Sequence, residues 1–133
     1  MGANAYWSDF YHRVIILEFT AKWTRCEYDN LVKESVNMLN SVRHKVAIVI
    51  DFSQSKNDIQ SPETYRIWLD TVYQWRETAS YSNFWINVNP PPWEQLILWT
   101  IGLVYNRANV MLAETVDEAC SFAVEMLDKM PSS

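Results

Sequence analysis

Residues 45–53, KVAIVIDFS, carry the sharpest hydrophobic pattern in the chain: an unbroken β-branched apolar run over 46–50, closed by Asp51. A strand that is apolar at every position, not at every second one, requires cover on both faces, which helices flanking a parallel sheet provide. The pattern therefore predicts a doubly covered strand that stops at Asp51. A polar loop over 53–61 then opens at the carboxyl edge of the sheet, where ligands and partners dock in open α/β folds.

On either side of this run the periodicity alternates. Residues 5–7 and 13–19 read as a strand pair joined by a turn at Ser8-Asp9. Thr24-Arg25-Cys26-Glu27 matches the S/T-x-x-E capping box, in which the Thr oxygen and the Glu carboxylate each satisfy an N–H left unpaired by the first helical turn. Tyr28, Leu31, Val32, Ser35, Leu39 and Val42 follow at helical spacing. A second helix opens at Ser61-Pro62, with Ser as N-cap and Pro at the first helical position, and buries Tyr65, Trp68, Leu69, Val72 and Trp75. Residues 84–88 give a third apolar strand of the parallel series, and Asn89-Pro90-Pro91-Pro92 breaks the chain before a third helix over 93–105. The last strand spans 110–113. Thr115-Val116-Asp117-Glu118 is a second capping box, leading into Ala119, Phe122, Ala123, Met126, Leu127 and Met130, with Pro131 as the stop.

This order implies one α/β domain over residues 1–133, a mostly parallel mixed sheet of about five strands with four helices. At 133 residues there is enough chain for one core without metals or disulfides. A hydrophobic share of 49% with seven tryptophans excludes a disordered chain. The net charge of −5 argues against nucleic-acid and anionic-membrane partners, both of which need a basic face. Cys26 and Cys120 form no disulfide framework and suit a reducing compartment. No secretory leader is expected from MGANAYWSDF, and the apolar stretch 96–105 is too short to span a bilayer, so the expected location is cytoplasmic.

The early strand pair, RVIILEFTAKWT running into a capped helix, KVAIVIDFS, and the closing VMLAETVDEACSFAVEML together resemble the STAS domain of anti-sigma-factor antagonists. The resemblance covers most of the chain. It implies a non-enzymatic protein-interaction module, regulated in some members by phosphorylation of a serine in the loop after the central strand. By position, Asp51, Ser53, Ser55, Asp58 and Ser61 are the regulatory-loop candidates. The segment FSQSKNDIQSP departs from the family's pattern, with neither its Asp-Ser pair nor its glycine, and Ser61 also reads as a helix cap.

Candidate chemistry changes the picture little. His12 and His44 precede strands and have no second ligand at metal spacing. H-x-x-x-H, C-x-x-C and G-x-S-x-G are absent, and two glycines cannot build a phosphate cradle. No catalytic residue, metal or cofactor is therefore assigned. Lys22, Trp23, Asn87, Asn89 and Glu114 gather at the carboxyl edge as a polar rim with an aromatic beside it, suited to recognising a partner. The alternative is a pocket there for a lipid-like or nucleotide-like small ligand. The helix over 93–105 is apolar well beyond one stripe, which marks Trp93, Leu98, Trp99 and Leu103 as interface candidates for a homodimer, with a regulatory protein as a further partner.

Overall fold

Two strands open the chain as an antiparallel pair: β1 (Ala3–Trp7) runs against β2 (Val14–Ala21), with Tyr6 opposite Ile16. The computed structural model describes residues 2–9, 12–55, 62–89 and 109–130. After β2 come α1 (Arg25–Asn40), β3 (Val46–Ser55), α2 (Pro62–Arg76), β4 (Tyr81–Val88), β5 (Asn109–Ala113) and α3 (Val116–Asp128). The described residues thus form an α/β unit with a five-stranded mixed sheet in the unbroken order β1-β2-β3-β4-β5, parallel from β2 onward. The third expected helix, over 93–105, lies outside the described residues.

The strand at the centre explains the two-layer packing. Val46, Ile48, Ile50 and Phe52 point to the face covered by α1 and α2, together with Ile15, Leu17, Phe19 and Trp85. Ala47 and Val49 point to the opposite face with Val14, Ile16, Phe84, Ile86 and Val88, beneath Ala119, Ala123 and Leu127 of α3. Residues 46–50 are all fully buried, as an all-apolar strand requires. Each of the valine and isoleucine side chains among them is worth roughly 1.5–3 kcal/mol of burial.

Local signals act where the sequence places them. Thr24 caps α1, its Oγ1 accepting from the Glu27 N–H while the Glu27 carboxylate accepts from the Thr24 N–H, a complete capping box. At α3 the threonine half forms, Thr115 accepting from the Glu118 N–H. Among the described residues Glu118 does not return the bond. Both histidines sit at the amino edge, His44 Nε2 lying 2.7 Å from the His12 carbonyl and His12 stacking on Trp7. Arg13 of the same edge pairs with Asp128 at the end of α3, at 2.7 Å.

Three expectations are corrected. The central strand does not stop at Asp51: β3 continues to Ser55, pairing Gln54 with Thr20. The continuation depends on a bulge, because Phe19 faces both Phe52 and Ser53 between the pairs Glu18–Asp51 and Thr20–Gln54. The fourth strand starts at Tyr81, three residues earlier than its apolar run, through a second irregularity in which Asn83 takes a left-handed φ of 68°. Phe122 is not on the buried stripe of α3; it is 46% exposed, because the helix seats on the line Ala119–Ala123–Leu127 and Phe122 falls on its outer flank.

Candidate functional site

The carboxyl ends of β2 to β5 carry most of the residues singled out above. Lys22 and Glu114 are exposed there, and Ser53 is exposed in the continuation of β3. Asp51 is buried on the α3 face, and its Oδ1 accepts from the Ser53 N–H at 2.9 Å and from the Ser53 hydroxyl at 2.6 Å. This is an Asx-type turn that holds the bulge: the carboxylate neutralises the N–H that the irregular pairing would otherwise leave unsatisfied. Ser55 is the last residue of β3, while Asp58 and Ser61 lie outside the described residues. The expected loop over 53–61 therefore begins as strand.

Trp23 is half-buried in the α1/α2 layer and is not a rim residue. Its ring lies 5.0 Å from Phe19 and 5.7 Å from Tyr28, extending an aromatic stack that continues to Phe52. Asn89 takes a left-handed φ of 45°, and its backbone and side-chain nitrogens donate to the carbonyls of Ala113 and Glu114. It staples the end of β4 to the end of β5. The interface candidates Trp93, Leu98, Trp99 and Leu103 lie outside the described residues.

Asn87 behaves differently from the other rim candidates. It is fully buried, and among the described residues neither its Nδ2 nor its Oδ1 has a hydrogen-bond partner. Strand alternation places it on the α1/α2 face with Trp85, since Ile86 and Val88 face α3. Trp85 Nε1 and Tyr81 Oη, on the same face of β4, are likewise buried without a partner. Polar groups of the helices above them are satisfied: Trp75 Nε1 donates to Ser35 Oγ at 3.0 Å, and the Tyr28 hydroxyl lies 2.6 Å from Thr71 Oγ1. Leaving a buried polar atom unpaired costs about 1–3 kcal/mol, so the imbalance on β4 is a large one. Burial drives the Tyr81 phenol well above its ordinary range, despite the opposing charge of Arg76.

A second polar group gathers on the α3 face. Burial raises the Tyr6 phenol, and the nearby charges of Glu18 and Asp51 and the Cys120 thiol raise it further. Cys120 is raised in turn by burial and by Asp117 and Asp9. These groups come from β1, the turn after it, β2, β3 and α3, and all of them are acids. Among the described residues no three His, Cys, Asp or Glu side chains are arranged to hold a metal ion.

No family model, curated protein or solved structure matches the chain. Lys22, Ser53, Asn89 and Glu114 do share the carboxyl edge, whereas Asp51 and Trp23 are structural. Sequence reading missed Tyr81, Trp85 and the Tyr6–Glu18 pair. For β4 a signal existed: Asn87 interrupts FWINV, a run apolar enough to be buried on both faces, and a buried strand gives an asparagine no water to bond.

Proposed function

We propose that this chain is a non-enzymatic interaction module of STAS-like arrangement, which self-associates through the helix expected over 93–105 and engages a regulatory protein with its carboxyl edge. The observation that carries the reading is the state of Asp51. This acid opens the segment where the resemblance puts the regulatory loop, and its Oδ1 holds the Ser53 N–H and hydroxyl, as a structural turn does. The antiparallel β1–β2 pair followed by strand–helix units supports the same reading. So does the exposed polar rim of Lys22, Ser53, Gln54, Asn89 and Glu114, whose composition suits reversible protein contacts.

The geometry also indicates how modification would act. A phosphate on Ser53 would bring a second negative group against the Asp51 carboxylate that its hydroxyl now contacts, and would release the turn by repulsion.

Self-association is tested by light scattering on wild type and Trp99→Glu. The expected result is a wild-type mass of twice the 15.7 kDa chain, falling to a single chain in the variant with an unchanged circular-dichroism spectrum. A monomeric wild type at all concentrations removes the self-association part of the proposal.

A further inference from the structure

The two faces of the sheet receive cover unequally. Helices α1 and α2 lie on one face, whereas α3 packs on the other chiefly over β3 and β4 and reaches β2. Asn4, Tyr6 and Glu18 belong to this second face, since Ala5 and Leu17, which alternate with them, lie in the α1/α2 core. Here the β1 end is open to solvent: Asn4 is exposed, Tyr6 is 37% exposed and Glu18 is half-buried. Cys120, on the near flank of α3, is close enough to act on the Tyr6 phenol, and Val124 follows it one turn later on the same flank. Both are half-buried. Helices pack about 8–10 Å apart and strands about 4.8 Å, so β1 and β2 together offer the width of one further helix beside α3.

We propose that this strip, between Tyr6 and the Cys120–Val124 flank of α3, is the docking surface for a basic amphipathic helix of a partner protein. Charge selects the occupant. Glu18 stands on the floor, Asp9 and Asp117 act on Cys120 at the margin, and among the described residues no cation acts on either Tyr6 or Cys120. Arg13, which leads into β2, is already paired with Asp128. A second copy of the chain would bring a further net charge of −5 to an acidic strip, and an anionic membrane is repelled in the same way. Arginine or lysine side chains of a partner find carboxylates here, and the Tyr6 ring adds a face on which a guanidinium stacks. The contacts lie at the surface, so the complex is weak and salt-sensitive. The proposal rests on the interaction-module reading for the existence of a protein partner and names that partner's chemistry, but it does not involve the helix over 93–105.

The probe is a synthetic helical peptide of about 18 residues, enough to cover the roughly 27 Å length of the eight-residue β2, with a leucine stripe flanked by arginines. Its counterpart carries glutamate in place of each arginine. In 1H–15N NMR of the labelled full chain, the arginine peptide is expected to shift the backbone amides of Tyr6, Glu18, Cys120 and Val124 saturably, and the glutamate peptide to leave them in place. Raising the ionic strength from about 0.01 M to about 0.1 M shortens the Debye length from ~30 to ~10 Å and should weaken binding several-fold. Tyr6→Ser and Glu18→Gln should each weaken it several-fold, while Phe122→Ser, on the other flank of α3, should not change it. Absence of a saturable shift in wild type overturns the proposal. Shifts spread equally over the acids of α1 mark unspecific charge attraction and overturn the site, as does undiminished binding by Tyr6→Ser and Glu18→Gln. Should Glu18→Gln not fold, an unweakened response in Tyr6→Ser overturns the site by itself. Shifts of the same amides on dilution of the protein alone would make a second copy the occupant and overturn the partner class. Trp99→Glu should keep the full peptide response, so that a failure of self-association and a failure of this surface are told apart.

Discussion

β3 and β4 lie side by side at the centre of the sheet and are buried to nearly the same extent, yet they treat polar atoms in opposite ways. In β3 the one buried acid, Asp51, finds its partners two residues along its own strand. In β4 the buried side-chain polar atoms of Tyr81, Trp85 and Asn87 have no partners among the described residues. Equal burial therefore does not imply equal satisfaction of polar groups. The distinction lies in whether the polar groups within the buried stretch are closed on themselves or left to be completed. By that criterion β3 is closed on itself, and β4 is not.

The largest test of the contrast is Ile48→Ala in β3. A fully buried isoleucine between two helical layers should cost about 2–5 kcal/mol, read as a lower urea midpoint at unchanged slope. A loss well under this range would mean that β3 is not the scaffold. Next in size is Asp51→Ala, which strips two hydrogen bonds from the bulge and should cost about 1–3 kcal/mol. Asp51→Asn, which keeps an acceptor, should recover part of that loss, and no recovery would show that the turn depends on charge. Smallest at neutral pH is Tyr81→Phe, expected to be neutral or stabilising by up to ~1 kcal/mol, since it deletes an unpaired hydroxyl. The variant has a clearer signature in alkali. The folded-state phenol is raised above its ordinary value of 10.0, so the folded protein holds this proton more tightly than the unfolded one. Its contribution to stability is complete below that pH and is lost as pH climbs towards the raised value. Tyr81→Phe should accordingly move the alkaline unfolding midpoint upward, and an unmoved midpoint would show that the phenol does not govern it.

Much of the scaffold was legible in the chain, because its determinants are local. The Thr24–Glu27 box starts α1, and the stripe Tyr28, Leu31, Val32, Ser35, Leu39 is its buried face. The double cover of residues 46–50 follows from apolarity at every position. What could not be read depended on distant pairing. β3 outlasts Asp51 because β2 offers Thr20 and Ala21 to pair with, and Ser82-Asn83 joins β4 although the same dipeptide type ordinarily marks a turn. The gathering of Tyr6, Glu18, Asp51 and Cys120 joins four elements and leaves no spacing in the sequence. At the candidate site the edge was legible but the roles were not. Asn89 is exposed at the end of β4, yet only the register shows that it staples two strands and that Asn87, two residues earlier, faces inward.

Every strand of the sheet pairs with its neighbour in the chain, and this has a consequence for the order of assembly. Growth from β1 to β4 needs only the closure of short connections, each adding one strand beside the last. α3 is the exception, since it returns across the sheet to cover β3 and β4, reaches β2, and places Asp128 against Arg13, 115 positions away. During synthesis Val14, Ile16, Ala47 and Val49 therefore stay bare to water after the opposite face has been closed by α1 and α2. Apolar surface exposed in such an interval is prone to aggregation.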